Sequence, residues 1–238
     1  MDKRLSWLEF VYRGTQPTPR IRHSPGRPEA GAAVTARVEL TQAGYGCRAV
    51  LACNVRHGLR TSAAKTILAE LGAHTGETAV LSVYDRQRAA RMFVAASPSQ
   101  HAVRFVPALF AWLPMHAGAT ALAILAYRPE DERRSIYAKG LLALTGTTLT
   151  EPDELESALA EVRGKGFAVS HDETDVGASA LAAPVFSTVG VMSSIGVVAP
   201  RQRFDEALER ALKSRVVEAA ARLGRRLGDP GSSLQTVS

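Results

Sequence analysis

His171, Asp172, Glu173 and Asp175 place four ionisable side chains within five residues, inside the stretch GFAVSHDETDVGASALAAPVFSTVGVMSSIGVVAP that runs from Gly166 to Pro200. An imidazole beside three carboxylates could supply a general base or two ligands for a metal ion, provided a strand end held them in a cleft. The same residues also fit an exposed acidic turn between two strands, and the rest of the chain favours that reading. No second cluster offers matching His or carboxylate spacing, and HExxH, GxSxG, a Walker loop and GxGxxG are all missing from the sequence. His116 follows Met115 in an apolar context and reads as a hydrogen-bonded core or helix-start residue. These patterns do not describe an enzyme, and neither a cofactor nor a metal is expected.

Holding a small molecule asks less of a sequence: an apolar concavity, a few orienting polar groups and approachable backbone donors. The segment LPMHAG can provide the last of these, since the chain turns at Pro114 and Ala117, Gly118 and Ala119 carry little bulk. Ser179, Ala180 and Gly196 fall on strands that could form an opposite wall. Small residues also occur wherever a helix packs on a sheet, so plain close packing is the alternative.

The elements that would position these residues can be read from periodicity. ARVELT, from Ala36, alternates like a strand, and Tyr45–Val55 fits a helix with Cys47, Val50, Leu51 and Val55 on one side. Thr61 and Ser62 can cap a helix carrying Ala64, Ile67, Leu68 and Leu71, which Gly72 is expected to end. TAVLSVYD and RMFVAAS read as a strand pair joined by a polar turn at Arg86 to Ala90. Small residues over Leu113 to Ala126 permit close helix packing, Pro129 opens a helix through Ala138, and Pro152 lies just inside a third that stops near Gly164 and Gly166. FAVS, SALAAPVF and VGVMSSIGVVA are the later strands. Arg203–Leu227 closes the pattern as a long helix with Phe204, Leu208, Leu212, Val216, Ala219 and Leu223 on one side, its basic residues forming a solvated face. Helix, strands, helices, strands, helix predicts an α+β domain with helices on an antiparallel sheet.

Charge is distributed unevenly. Residues 1–60 carry ten Lys+Arg against four Asp+Glu, whereas residues 61–238 carry nineteen of each, so the net +6 lies in the first quarter. A basic arm on a neutral body suits a polyanionic partner and equally suits a solubilising tail. Cys47 and Cys53 are not spaced as metal ligands and read as buried apolar residues of a reducing compartment. No run approaches the roughly 20 apolar residues of a membrane span, so no membrane partner and a cytoplasmic location are expected.

Three segments, LPMHAGATALAILA, DVGASALAAPV and IGVVAP, with GFAVSHDE ahead of the second, resemble the effector-binding domain of IclR-type bacterial transcriptional regulators. That family shows an LPLHATALGKALLA-like segment, an E-x-G-V-x-C-I-A-A-P-V strand and a later strand ending S-x-S-G-P; the similarity spans roughly Ala36 to Arg203. The resemblance implies a GAF-like fold with a twisted antiparallel sheet, no enzymatic activity, homodimers or homotetramers, and an organic-acid effector in a half-open pocket. The effector residues it implies, with those above, are Leu113, Met115, His116, Ala117, Gly118, Ala119, Asp172, Ser179, Ala180, Gly196 and Val198. Ala180 stands where the family often has cysteine, Gly196 and Val198 stand for its two serines, and Ala121-Leu122 for its Gly-Lys pair. Losing those hydroxyl and thiol groups points to an aromatic or other apolar acid rather than a small keto acid, or to a pocket that has lost its ligand.

The resemblance also implies a winged helix-turn-helix ahead of this domain. Residues 37–60 resemble the end of such a wing and its linker helix, but residues 1–36 hold Pro17, Pro19, Pro25 and Pro28 and no pair of amphipathic helices. A truncated or frame-shifted start and a degenerate member both account for this. The expected division is therefore a basic remnant region over 1–55, the effector domain over 56–227 and a loose tail over 228–238. Two functions follow: a regulator whose basic N-terminal region still contacts DNA, or a ligand-binding and dimerisation module without DNA recognition.

Overall fold

The computed structural model describes residues 64–228. The chain divides into two units, Met1–Leu51 and Ala52–Ser238, and all described residues belong to the second. The expected ARVELT strand, the Tyr45–Val55 helix, the Thr61 and Ser62 caps and the tail beyond Gly228 lie outside the described residues.

Helix α1 covers residues 64–75. It is followed by β1 (Thr78–Asp85), β2 (Ala90–Ser97), α2 (Ala119–Leu125), α3 (Glu130–Tyr137) and α4 (Pro152–Lys165), then β3 (Ala168–His171), β4 (Ala178–Val185), β5 (Ser193–Pro200) and α5 (Glu206–Arg226). The strands form one antiparallel sheet in the order β2-β1-β5-β4-β3. The predicted α+β architecture is therefore present, with the strand pair and the later strands close to their expected positions.

The near-continuous apolar runs of β1, β4 and β5 follow from burial on both faces of the sheet. Alternation sends Leu81, Leu181, Ile195 and Val197 to one face, where Ile67 and Leu68 of α1 and Leu212, Val216 and Leu223 of α5 cover them. The opposite face carries Val80, Ala180, Ala182 and Val198 against α2 and against Leu155 and Leu159 of α4. Small side chains there let α2 lie so close that all seven of its residues are buried. Ser194 Oγ ties it to the sheet by donating to Thr120 O at 2.7 Å. Leu181 and Ile195 are fully buried, and truncating either to alanine would cost about 2–5 kcal/mol.

Three boundaries differ from the sequence expectation. Helix α1 runs through Gly72 and stops at Gly76, whose φ of +71° an L side chain would resist and whose N–H donates to Gly72 O at 2.8 Å. Gly72 serves close packing instead, since a Cβ there would sit 3.0 Å from Ser97 Oγ of β2. Strand β5 begins at Ser193 rather than Val189, because Ser187 to Gly190 close a turn through Gly190 N–H to Ser187 O at 2.9 Å. Helix α5 begins after Asp205, whose carboxylate accepts from Leu208 N–H, and Arg201–Arg203 form a separate 3-10 turn. Among the described residues no helix is long and apolar enough to cross a membrane.

Candidate functional site

A cavity opens where the N-terminal end of α2 meets the ends of β2, β4 and β5 and the turn after β3. Its apolar walls are Phe93, Phe105, Leu113, Ala178, Ala180 and Val198, and its polar residues are Arg91, Thr120, Ser170, Thr174, Asp175 and Ser179. The enclosed space is about 40 Å³, room for a few waters. Leu113 reaches the cavity because residues 109–113 extend the sheet beside β2: Arg91 N–H donates to Leu113 O at 2.9 Å and Leu113 N–H returns a bond to Arg91 O at 2.8 Å. Phe105 is held from behind by Thr78, whose hydroxyl donates to Phe105 O at 2.8 Å.

The acidic turn is folded back rather than left in water. Glu173 is half-buried and its Oε2 accepts from Gly118 N–H at 2.9 Å, while Ser170 Oγ accepts from Ala119 N–H at 2.8 Å. Burial pushes the Glu173 carboxyl above its ordinary range, against the opposing effect of the Gly118 hydrogen bond. Thr148 Oγ1 secures the turn by donating to Glu173 O at 2.7 Å, and Asp172 Oδ1 accepts from Gly177 N–H at 2.6 Å. Gly118, at φ +85°, permits the approach: a Cβ there would lie 3.0 Å from Thr174 Cγ2. Only Asp175 of the original cluster is exposed. His171 Nδ1 meets Ser179 Oγ at 3.0 Å and its ring stands edge-on to Phe204, on the α5 side of the sheet. Among the described residues no three His, Cys, Asp or Glu side chains are grouped to hold a metal ion.

The cavity brings together Leu113, Gly118, Ala119, Ser179, Ala180 and Val198 of the residues expected from sequence. Ser179 borders it while its hydroxyl engages His171. Met115 and Ala117 are buried in the turn before α2, and His116, 3% exposed, donates from Nε2 to Leu142 O at 2.9 Å. Burial holds the His116 pKa below its ordinary value despite that hydrogen bond. Asp172 lies in the turn beside the cavity, 3.8 Å from Arg201 Nε. Gly196 lies opposite Ala182 deeper in the sheet, where a Cβ would come within 2.7 Å of Leu181 O.

Arg91 was not anticipated. Its side chain is 1% exposed, its guanidinium lies 5.1 Å from the centre of the Phe93 ring, and its Nη2 donates to Ala117 O at 3.2 Å. No protein atom among the described residues accepts from Nε or Nη1. Burial pulls its pKa down to about 10, with the nearby Asp175 charge acting the other way. The available signal was an arginine at the start of RMFV, two positions before Phe93, which alternation places on the same face of a strand expected to be buried.

The sequence profile of the C-terminal domain of the bacterial transcriptional regulator IclR matches residues 53–225. The chain belongs to the IclR family. It is 33% identical over 164 residues to the HTH-type transcriptional regulator BhcR of Paracoccus denitrificans, covering 67% of this chain and 57% of that protein. It is 31% identical over 121 residues to the transcriptional repressor IclR of Escherichia coli, covering 50% and 44%. The chain thus spans about half the length of these curated relatives. An IclR transcriptional regulator from Alicyclobacillus acidocaldarius superimposes with a TM-score of 0.69 at 28% identity, over 75% of this chain and 74% of that one. The Thermotoga maritima IclR gives 0.70 at 23% identity over 78% and 75%, a likeness of fold. The described residues are accordingly an IclR C-terminal domain of GAF-like α+β architecture, and the IclR relatives are named as regulators rather than enzymes.

Proposed function

We propose that this IclR-family chain is a transcriptional regulator whose C-terminal domain responds to a small organic acid with an apolar, aromatic-sized body. The observation that carries this reading is the ring of Phe93, Phe105, Leu113, Ala180 and Val198 around the cavity beside α2. Apolar walls with a few polar groups at one end suit a ligand that buries a ring and orients a headgroup. Leu113, Gly118, Ala119, Ser179, Ala180 and Val198 are the proposed contacts; Met115, His116, Ala117, Asp172 and Gly196 support the walls. A benzene ring needs more than 40 Å³, so entry requires a wall to give way, and we assign that movement to Phe105, which leads into residues 106–112. Much of that stretch is exposed, Val106, Leu109 and Phe110 among it.

DNA contact through the basic residues 1–60, a homodimer or homotetramer, and a cytoplasmic location complete the proposal. The second reading, a ligand-binding module without DNA recognition, is favoured by the four prolines within residues 1–36. Isothermal titration of benzoate and 4-hydroxybenzoate against glyoxylate and pyruvate tests the effector class. The aromatic acids are expected to bind more tightly in the wild type and to lose binding in Ala180→Phe, which fills the cavity. Tighter binding of the keto acids would reject the apolar-body assignment.

A further inference from the structure

We infer that Arg91 is the anchor for the charged end of the effector, and that the effector is a monocarboxylate. The inference rests on the effector-pocket reading above and deepens it. A guanidinium presents five N–H donors in a rigid plane. Arg91 gives Nη2 one protein acceptor, Ala117 O, and leaves Nε and Nη1 with none among the described residues, although the side chain is 1% exposed and borders the cavity. Keeping a buried charge so poorly paired is costly, and an apolar residue of similar volume would serve packing better. A carboxylate entering the cavity removes that cost, because one planar fork can take two oxygens while its charge is neutralised.

Two backbone amides and one hydroxyl at this end are already engaged. Gly118 N–H bonds Glu173, Ala119 N–H bonds Ser170, and the Ser179 hydroxyl is paired with His171 on the far side of the sheet. An incoming acid cannot use those amides without displacing the protein's own groups, whereas Arg91 is open to it. Charge sets the valence of the ligand. Arg91 is the one cation lining the cavity among the described residues and Asp175, exposed at its rim, is an anion, so one carboxylate can be matched by Arg91, while the second charge of a phosphate-like dianion would find no cation and be repelled by Asp175. The walls formed by Phe93, Phe105 and Val198 then receive the rest of the molecule.

The test uses thermal unfolding of the full chain with benzoate, benzamide or phenylphosphonate, in the wild type, Arg91→Met and Ala180→Phe. Benzoate is expected to raise the wild-type Tm, benzamide and phenylphosphonate to raise it little, and Arg91→Met to need roughly 10- to 100-fold more benzoate. Without ligand, Arg91→Met is expected to melt at or above the wild type, because a methionine there buries no unpaired charge. An Arg91→Met protein that melts lower marks a structural arginine and overturns the inference, whether or not any probe shifts the wild type. Equal benzoate responses in wild type and Arg91→Met, or benzamide matching benzoate, would also overturn it; phenylphosphonate exceeding benzoate would overturn the monocarboxylate assignment. If Ala180→Phe abolishes a benzoate response that Arg91→Met retains, the anchor fails and the pocket stands. A response that survives Ala180→Phe removes the pocket reading itself.

Discussion

Glu173 shows how one side chain can look like chemistry in the sequence and act as structure in the fold. Its Oε2 closes on Gly118 N–H at the start of α2, and burial pushes its pKa up more than that hydrogen bond pulls it down. Between the ordinary value of 4.5 and its own higher one, the folded protein holds a proton that the unfolded chain has released. Stability therefore falls as pH rises through that window and levels off above it. Glu173→Gln keeps an oxygen for Gly118 and never buries a charge. Urea unfolding from pH 4 to pH 8 should show a flatter profile for the variant and equal or greater stability at neutral pH. A variant less stable by about 1 kcal/mol at neutral pH would mean that the charge itself is favourable there. The acidic cluster was legible as a turn, but its inward fold was not, because the partners of Glu173 are Gly118 and Thr148, far away in sequence. Arg91 was missed for a related reason: only the finished cavity reveals which of its N–H groups lack an acceptor among the described residues.

At the level of elements, the strands were legible because β1, β4 and β5 are apolar on both faces, and the helices because Pro152, Gly166 and the spacing along α5 mark their ends and sides. Glycines were harder to read, since one residue type serves turns and close approaches alike. Gly72 suggested a helix end and proved to be a contact with Ser97, while Gly196 suggested a cavity wall and lies where β4 and β5 crowd together. A Cβ on Gly196 would stand 2.7 Å from Leu181 O and 2.8 Å from Ala182 Cβ, backbone and a short side chain that cannot rotate away. Gly196→Ala is therefore expected to destabilise the domain by about 1–3 kcal/mol through strained β4–β5 pairing. Chemical denaturation checks this, and wild-type stability in the variant would show that the two strands can separate without cost.

For the whole molecule, membership of the IclR family and the uneven charge lead to one question, which is whether this polypeptide reads DNA. Ten of its twenty-nine Lys and Arg fall in residues 1–60 against four acids, while residues 61–238 are balanced at nineteen of each. The unit Ala52–Ser238 contains all the elements that build the cavity, so effector binding and DNA contact are expected to separate between the two parts of the chain. Fluorescence anisotropy should compare the full chain and residues 52–238 on a duplex from the gene's own upstream region and on a scrambled duplex. Phosphate contacts alone give affinity that falls steeply with salt and ignores sequence, since each neutralised phosphate contributes about 0.9 to the logarithmic salt slope. Base contacts add a preference that survives moderate salt. The expected outcome for a regulator is a preference for the native duplex that persists at moderate salt and disappears in residues 52–238, which should still respond to benzoate. Equal, salt-erased binding to both duplexes would make the chain an effector-binding module with a basic arm. Its influence on transcription would then have to pass through subunits that carry their own reading heads.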